Sequence, residues 1–327
     1  MISDDELDSA VTAGVLDASI AAALRAHVAA LHRSSGADEE HFRLVTGFND
    51  VFVVIASALL LVSVGWIAGV FAPWAGGVAV CAASWVLAEF FVRRRRMALP
   101  AIVLLCTFVG AAFYAVELLA GAAAASAVGV AGAWLHWRRF QVPVTVAAGA
   151  GVLLFGLAFA LVDGVPAAGE WLGLIVFLSG VAVFALAVRW DASDPARTTR
   201  RADVAFWLHL LAAPLLVHPV FAVVGVMSEN AGPVQAAVAA LLYLAIGAVS
   251  LALDRRALMV SALGYVLFAF SSLLQQHGFV TLGFALTALA IGSGLLLLSA
   301  LWQKARAVTV SVLPEGLRLR LAPARAP

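Results

Sequence analysis

Ten long apolar runs, each bounded by turn residues, are the feature that most limits how this chain can fold. A helix needs about 20 mostly apolar residues to cross the hydrocarbon core of a bilayer. Turn residues separate the runs, as at Pro73, at the corner from Glu117 to Gly121, and at Gly232-Pro233. The predicted spans are residues 51–72, 75–92, 98–116, 118–137, 142–162, 171–188, 204–226, 233–253, 258–274 and 279–301. The sequence therefore predicts an all-α, polytopic transmembrane helix bundle of about ten spans, with lipid as its surroundings.

Composition supports the same class of protein. Of the 327 residues, 64% are hydrophobic and 12% are charged, whereas soluble domains have about 25% charged residues. The net charge of +1 provides no long-range field for nucleic acid, so no nucleic-acid partner is predicted. Cys81 and Cys106 both lie inside apolar runs without metal-ligand spacing, which predicts neither a disulfide framework nor a metal site.

Basic residues occur only in the two terminal segments and in alternate connections between the runs. The cytoplasmic side of a membrane protein retains Lys and Arg in its short loops, so this pattern predicts a plasma (inner) membrane protein of bacterial type with both termini cytoplasmic. The opposite turns hold Glu117, Asp163, Glu170 and Glu229 instead. The 20 basic residues are Arg25, Arg33, Arg43, Arg93, Arg94, Arg95, Arg96, Arg138, Arg139, Arg189, Arg197, Arg200, Arg201, Arg255, Arg256, Lys304, Arg306, Arg318, Arg320 and Arg325.

Three regions are predicted along the chain: a cytoplasmic helical segment over 1–49, a transmembrane domain over 50–302, and a cytoplasmic basic tail over 303–327. The first region has no basic start ahead of a short apolar core, so we expect no cleaved signal peptide and a first span that stays as an anchor. In the tail, polar and apolar residues alternate over 308–312. This alternation favours a small hairpin or an arginine-bearing strip on anionic lipid.

The N-terminal segment is predicted to contain two short helices. Gly14 is placed to end the first helix and Asp17 to cap the second. In the second helix an apolar stripe recurs at helical spacing, formed by Ile20, Leu24, Val28 and Leu31. The segment is too small for a core of its own. We therefore expect the stripe to pack within this chain, with a protein partner as the alternative.

The order of these segments resembles a family of uncharacterised bacterial multi-pass membrane proteins. The resemblance lies in Gly14-Val15-Leu16-Asp17, a glycine–aliphatic–aliphatic–acidic turn between two N-terminal helices that precede a block of spans. It implies the architecture and the membrane class. It implies no activity.

Small residues dominate the fourth run, from Gly121 to Ala133. Such residues let helix backbones approach closely in lipid, so this run is predicted to be central and packed on several sides. Gly149 with Gly151, and Gly292 with Gly294, predict similar close approaches in the fifth and tenth runs.

A polar pocket is predicted beside the seventh run, because two prolines there can break the helix and free backbone carbonyls. His209 and His218 are nine residues apart, or about 2.5 turns, so they face opposite sides and cannot share a metal on an unbroken helix. Glu89 is interpreted as an ion-pair anchor to Arg93, and Glu117 as a solvated turn residue. The candidate pocket residues are His218, His209, Pro214, Pro219, Gln275, Gln276, His277, Glu117 and Glu89.

Two functional hypotheses follow. The zinc, phosphate-loop and dinucleotide motifs are absent from the sequence, so neither an enzyme nor a cofactor is predicted, and an intramembrane enzyme is the third choice. The first hypothesis is a transporter-like permease for a small solute, with a polar cavity near His218. The second is a non-catalytic membrane scaffold or sensor whose N-terminal stripe docks a partner.

Overall fold

Helices account for all the regular structure in the residues that the computed structural model describes, which are 4–25, 48–195, 197, 199–225, 232–276 and 283–318. The predicted all-helical class is confirmed. A π-helical turn, Glu89–Arg94, follows α3, and a 3-10 turn, Pro166–Trp171, precedes α6. The helices are α1 (Asp4–Thr12), α2 (Phe48–Gly69), α3 (Pro73–Ala88), α4 (Ala98–Phe140), α5 (Val144–Gly164), α6 (Leu172–Ala192), α7 (Arg200–Val224), α8 (Pro233–Leu253), α9 (Ala257–Gln276), α10 (Gly283–Ala300), α11 (Trp302–Ser311) and α12 (Glu315–Arg318).

The chain divides into two units, Met1–Arg43 and Leu44–Pro327. The predicted turn of the N-terminal unit is confirmed: Gly14 has a left-handed φ of +69° after α1. The Asp17 carboxylate accepts the backbone N–H of Ser19 at 2.8 Å, at the start of a helix over residues 18–25. The hydrogen bond from the Ser19 hydroxyl also lowers the pKa of Asp17 from its ordinary value.

The apolar stripe of this unit is exposed where the structure describes it. Ile20 is 57% exposed and Leu24 is 38% exposed. Val28 and Leu31 lie outside the described residues. Packing of the whole stripe within the chain stays a prediction, and so does its burial by a partner.

Seven of the described helical segments are long and apolar enough to cross a membrane, which indicates a membrane-embedded protein. The predicted count of about ten spans is not confirmed by this number. The seven segments are Phe48–Gly69, Pro73–Arg94, Ala98–Phe140, Val144–Gly164, Pro166–Ala192, Arg200–Val224 and Pro233–Leu253.

Part of the difference lies in α4, which folds back on itself at Gly121. That residue has φ 81° and ψ 172°, outside the helical region, in the middle of 43 residues. A Cβ placed on Gly132 would lie 3.4 Å from the Phe108 ring, although a straight helix would hold the two residues about 36 Å apart. Residues 98–120 and 122–140 therefore form two antiparallel arms, and the turn falls within the predicted corner.

The remaining predicted spans lie after α8. Among the described side chains of α9 the apolar segment is Ala262–Ser271, which is shorter than a span, and Ala288–Ala300 in α10 is bent by 75° against α11, a pair that would count as an eighth span if taken together. The chain is helical over α11 rather than extended, so the predicted hairpin at 308–312 is wrong. Valines at alternating positions did not decide the structure here, because a helix also buries Trp302, Arg306 and Val310 on one face.

Hydrogen bonds between neighbouring turns place the basic connections at one end of the bundle. Arg139 binds Glu89, and Arg200 donates to the side chain of Gln141 at 3.4 Å. Arg197 binds Asp254, which in turn accepts a hydrogen bond from Trp302. We call this the arginine end. Its placement on the cytoplasmic side stays a prediction.

Small residues bring several helices into close contact. The second arm of α4 packs against its own first arm through Gly132 and against α5, where a Cβ on Gly156 would lie 2.4 Å from Ser126. Gly149 is also close, at 3.2 Å from the Ala133 side chain. In contrast, nothing in the described residues lies within 4 Å of a Cβ on Gly292 or Gly294, so the close approach in the tenth run stays a prediction.

The backbones of α6 and α7 approach each other closely at Gly180. A Cβ there would lie 2.9 Å from the backbone of Leu215 and Leu216, and backbone cannot move aside as a side-chain tip can. We expect Gly180→Ala to destabilise the protein by about 1–3 kcal/mol, as overpacking does elsewhere. Gly173→Ala on the same helix is the control, since its Cβ would meet nothing within 4 Å. Thermal unfolding of both variants in detergent measures the difference, and equal midpoints would contradict the packing.

Candidate functional site

Asp191 is the centre of a polar cluster at the arginine end. Its carboxylate lies 2.9 Å from Nε2 of His209 on α7, and it accepts two hydrogen bonds from the Arg255 guanidinium, one of them at 3.1 Å. Arg255 also donates to the carbonyl of Ala202 at 3.1 Å. His209 is fully buried and Arg255 is 2% exposed. One carboxylate thus contacts both a buried arginine and a buried histidine.

Asp254, next to Arg255 in sequence, forms a second centre. It accepts hydrogen bonds from Arg197 at 3.0 Å and from Nε1 of Trp302 at 2.7 Å. Nε of Arg306 on α11 lies 3.7 Å away, and that arginine is 2% exposed. Asp254 therefore ties the α6–α7 turn, the end of α8 and the helix after α10 together. We call Asp191, Arg197, His209, Asp254, Arg255 and Arg306 the buried ion network.

Two members of the network hold left-handed backbone conformations. Arg197 has φ 53° and Asp254 has φ 57°, a region that costs most non-glycine residues about 1–2 kcal/mol and that aspartate and asparagine enter more readily than other side chains. Both positions nevertheless carry charged side chains, and these two side chains form an ion pair with each other. Burial lowers the pKa of Arg197 from its ordinary value, although an arginine remains charged in proteins. Strain held by non-glycine residues is typical of functional positions.

The surroundings of the network make its charges costly to separate. A buried pair that loses one partner leaves an uncompensated charge, which typically costs about 3–5 kcal/mol. In the described residues, Nδ1 of His209 has no hydrogen-bond partner, and the ring packs edge-on against Phe184 at 5.4 Å between centroids. Separating the partners of the network would therefore leave charged groups without a partner in surroundings that hold little water.

A cavity of about 330 Å³ lies between α6, α7 and α8, farther from the arginine end than the network. Phe184, which contacts His209, forms part of its wall, so the two features adjoin. Six of the predicted pocket residues have described side chains, and none of these six lines it. The described lining side chains are all apolar: Phe177, Phe184, Ala213, Leu216, Val217, Val220, Phe221, Leu242, Ala245, Ile246 and Val249.

The predicted break in the seventh run is wrong, because α7 continues as one helix through Pro214 and Pro219. The two histidines face different neighbours, as their spacing predicts. His209 points to Asp191 on α6, while Nδ1 of His218 is hydrogen-bonded to the Tyr265 hydroxyl on α9. His218 and Pro214 are exposed, whereas Pro219 is buried.

The remaining predicted residues lie apart from the network. Glu89 holds Arg139 through two hydrogen bonds, at 2.6 and 2.9 Å, and Arg93 at 3.3 Å. Its interpretation as an ion-pair anchor agrees with this geometry, although Arg139 was not predicted as a partner. Glu117 is exposed near the turn of α4. Gln275 and Gln276 end α9, where their side chains are not described, and His277 lies outside the described residues.

Sequence reasoning missed the acidic half of the network. Asp191 and Asp254 occur in the basic connections, where arginines were read only as a sign of orientation. The available signal was a carboxylate beside each basic group at the helix ends, in Arg189-Trp190-Asp191 and Asp254-Arg255. Isolated acidic residues among arginines at a helix end are candidates for ion pairs that hold neighbouring turns together.

No family model, curated protein or solved structure matches this chain. The resemblance to uncharacterised multi-pass proteins stays a prediction.

Proposed function

We propose that the chain is a transporter-like permease for a small solute, with the buried ion network closing the arginine end of its path. The observation that supports this is the position of the network directly beyond the cavity between α6, α7 and α8. Alternating access requires contacts that form and break at one end of a central site. Charge pairs shared among two turns and α11 are suited to that task.

Backbone conformation adds a reason for the contacts to break. The left-handed Arg197 and Asp254 are held together by their ion pair. When the pair opens, Arg197 is free to leave a disfavoured region. Part of the pairing energy is therefore offset in the closed state, which brings the closed and open states closer in free energy.

Thiol accessibility tests the proposal without a known solute. In a background with Cys81 and Cys106 replaced by alanine, Leu216→Cys places a thiol in the cavity wall. A membrane-impermeant maleimide is added to either side of sealed vesicles. Combining this thiol with Asp254→Asn is expected to increase its labelling from the arginine end. Leu186→Cys, 39% exposed on α6, is the lipid-facing control, and unchanged labelling of the cavity thiol would count against the proposal.

The alternative is a non-catalytic membrane scaffold or sensor, favoured by the exposure of Ile20 and Leu24. A photo-crosslinking residue at position 20 would then give a defined adduct in cells. The adduct should be lost with Leu24→Ser and retained with Ala23→Ser, which changes another exposed position. A complete absence of adducts would remove the support for docking.

A further inference from the structure

A dense group of exposed arginines lies at the arginine end, where the π-helical turn after α3 approaches the end of α4. Arg93, Arg94, Arg95 and Arg96 are all exposed, as are Arg138 and Arg139. Glu89 joins the two groups, because the same carboxylate binds Arg93 and Arg139. We call these six arginines the arginine patch.

The patch has a large excess of positive charge. Glu89 is shared by two of its arginines. Within the part of the chain that the structure describes, the other four, Arg94, Arg95, Arg96 and Arg138, form no ion pair with a carboxylate. Several guanidinium groups are therefore available for an anion with more than one acceptor oxygen, which is the chemistry of a phosphate.

Two aromatic rings show where the arginine patch lies relative to the apolar surface of the helices. The Arg95 guanidinium lies over the Phe90 ring at 5.6 Å, and that of Arg138 over the Trp134 ring at 4.9 Å. The rings are 42% and 54% exposed, and exposed apolar side chains precede the arginines along the same helices, Val86 at 68% and Leu135 at 50%. The arginines thus lie where an apolar, lipid-facing surface ends, which is the depth of lipid phosphates.

The backbone supports a role beyond general solubility. Arg96 has φ 55°, a left-handed conformation that favours glycine. It lies between the π-helical segment and α4, at the end of four consecutive exposed arginines. A glycine would satisfy the turn at lower cost but would remove a charge from the patch.

We infer that the arginine patch binds the phosphate of an anionic phospholipid headgroup. The shared chemistry is a phosphate held by several guanidinium groups, and the lipid source follows from the flanking rings and apolar side chains. Phosphatidylglycerol is expected to bind more tightly than phosphatidylcholine with the same acyl chains.

Native mass spectrometry of the full chain in a neutral detergent tests this inference. For Arg94→Gln/Arg95→Gln we expect phosphatidylglycerol affinity to fall about tenfold or more, since each basic residue near an anionic surface contributes roughly a factor of five. Arg189→Gln/Arg201→Gln is the matched control, with the same charge change at two exposed positions on α6 and α7. Its affinity is expected to remain near that of the parent.

Three results would overturn the inference. One is equal binding of the two lipids by the parent protein, and another is an equal loss in the patch and control variants. The third is displacement of the lipid by the same concentration of inorganic phosphate, which would assign the patch to a free anion. All four substituted side chains are exposed, so gel filtration of each variant is expected to show a folded protein.

Discussion

Replacing Asp191 with asparagine is expected to destabilise the protein by about 3–5 kcal/mol, the usual cost of breaking a buried ion pair from one side. The Arg255 side chain is 3% exposed and that of His209 is fully buried. Neither can reach water to replace the lost carboxylate. The amide of asparagine retains the shape of the side chain, so the effect measures charge rather than packing. The midpoint of thermal unfolding in detergent measures the loss.

Asp163→Asn is the matched control for this change. Asp163 is exposed in α5 at the opposite end of the bundle, where the same substitution should leave the midpoint nearly unchanged. A second comparison separates pairing from the burial of one charge. Asp191→Leu combined with Arg255→Met should be less destabilising than Asp191→Leu alone, because no charge is left unpaired. Equal midpoints for Asp191→Asn and Asp163→Asn would show that the cluster does not hold these helices together.

Substitution of Asp254 is expected to weaken the packing of α11 against the end of α8, because Asp254 contacts Trp302 and Arg306 of α11. Asp254→Asn removes the charge that faces Arg197 and Arg306, but asparagine tolerates the left-handed φ of 57° and can still accept the Trp302 hydrogen bond. Asp254→Ala loses the bond as well and adds backbone strain of about 1–2 kcal/mol. The expected order of stability is therefore parent, then Asp254→Asn, then Asp254→Ala, with the last about 3–5 kcal/mol or more below the parent.

Limited trypsin digestion gives a local measure of the same change. Lys304 is exposed on α11, between the buried Trp302 and Arg306. Cleavage after Lys304 requires local unfolding of this helix. Cleavage is expected to be faster in Asp254→Asn than in the parent and fastest in Asp254→Ala. Asp163→Ala should be digested at the rate of the parent. Equal cleavage rates of α11 in the parent and all three variants would show that Asp254 does not stabilise this helix.

Much of the helical framework followed from the sequence, for a local reason. Each turn is encoded by residues that sit in it, such as Gly121 in α4 and Pro233 at the start of α8, and the predicted run 233–253 coincides with that helix. Gly14 and Asp17 ended and capped helices as predicted. The number of spans was not settled in this way, because length and hydropathy do not fix how a helix such as α10 bends against its successor.

The candidate site followed much less from the sequence. His209 was singled out, but its partners Asp191 and Arg255 stand 18 residues before it and 46 residues after it, from the positions themselves. Packing between helices decides which faces of α6, α7 and the α8–α9 turn meet. Small residues such as Gly180 determine how closely these helices pack. The prolines of α7 gave a false signal, since a helix can continue past a proline when neighbours satisfy the freed carbonyl.

The amino-acid sequence by itself determined that the chain is a bundle of apolar helices with its basic residues confined to alternate turns, because lipid, helix length and turn chemistry act on short segments. Only the tertiary structure decided that these turns meet at one end, that α4 folds back at Gly121, and that Asp191 and Asp254 join arginines from distant segments. Those pairings depend on how far neighbouring helices approach and rotate. No segment of the sequence carries that information alone.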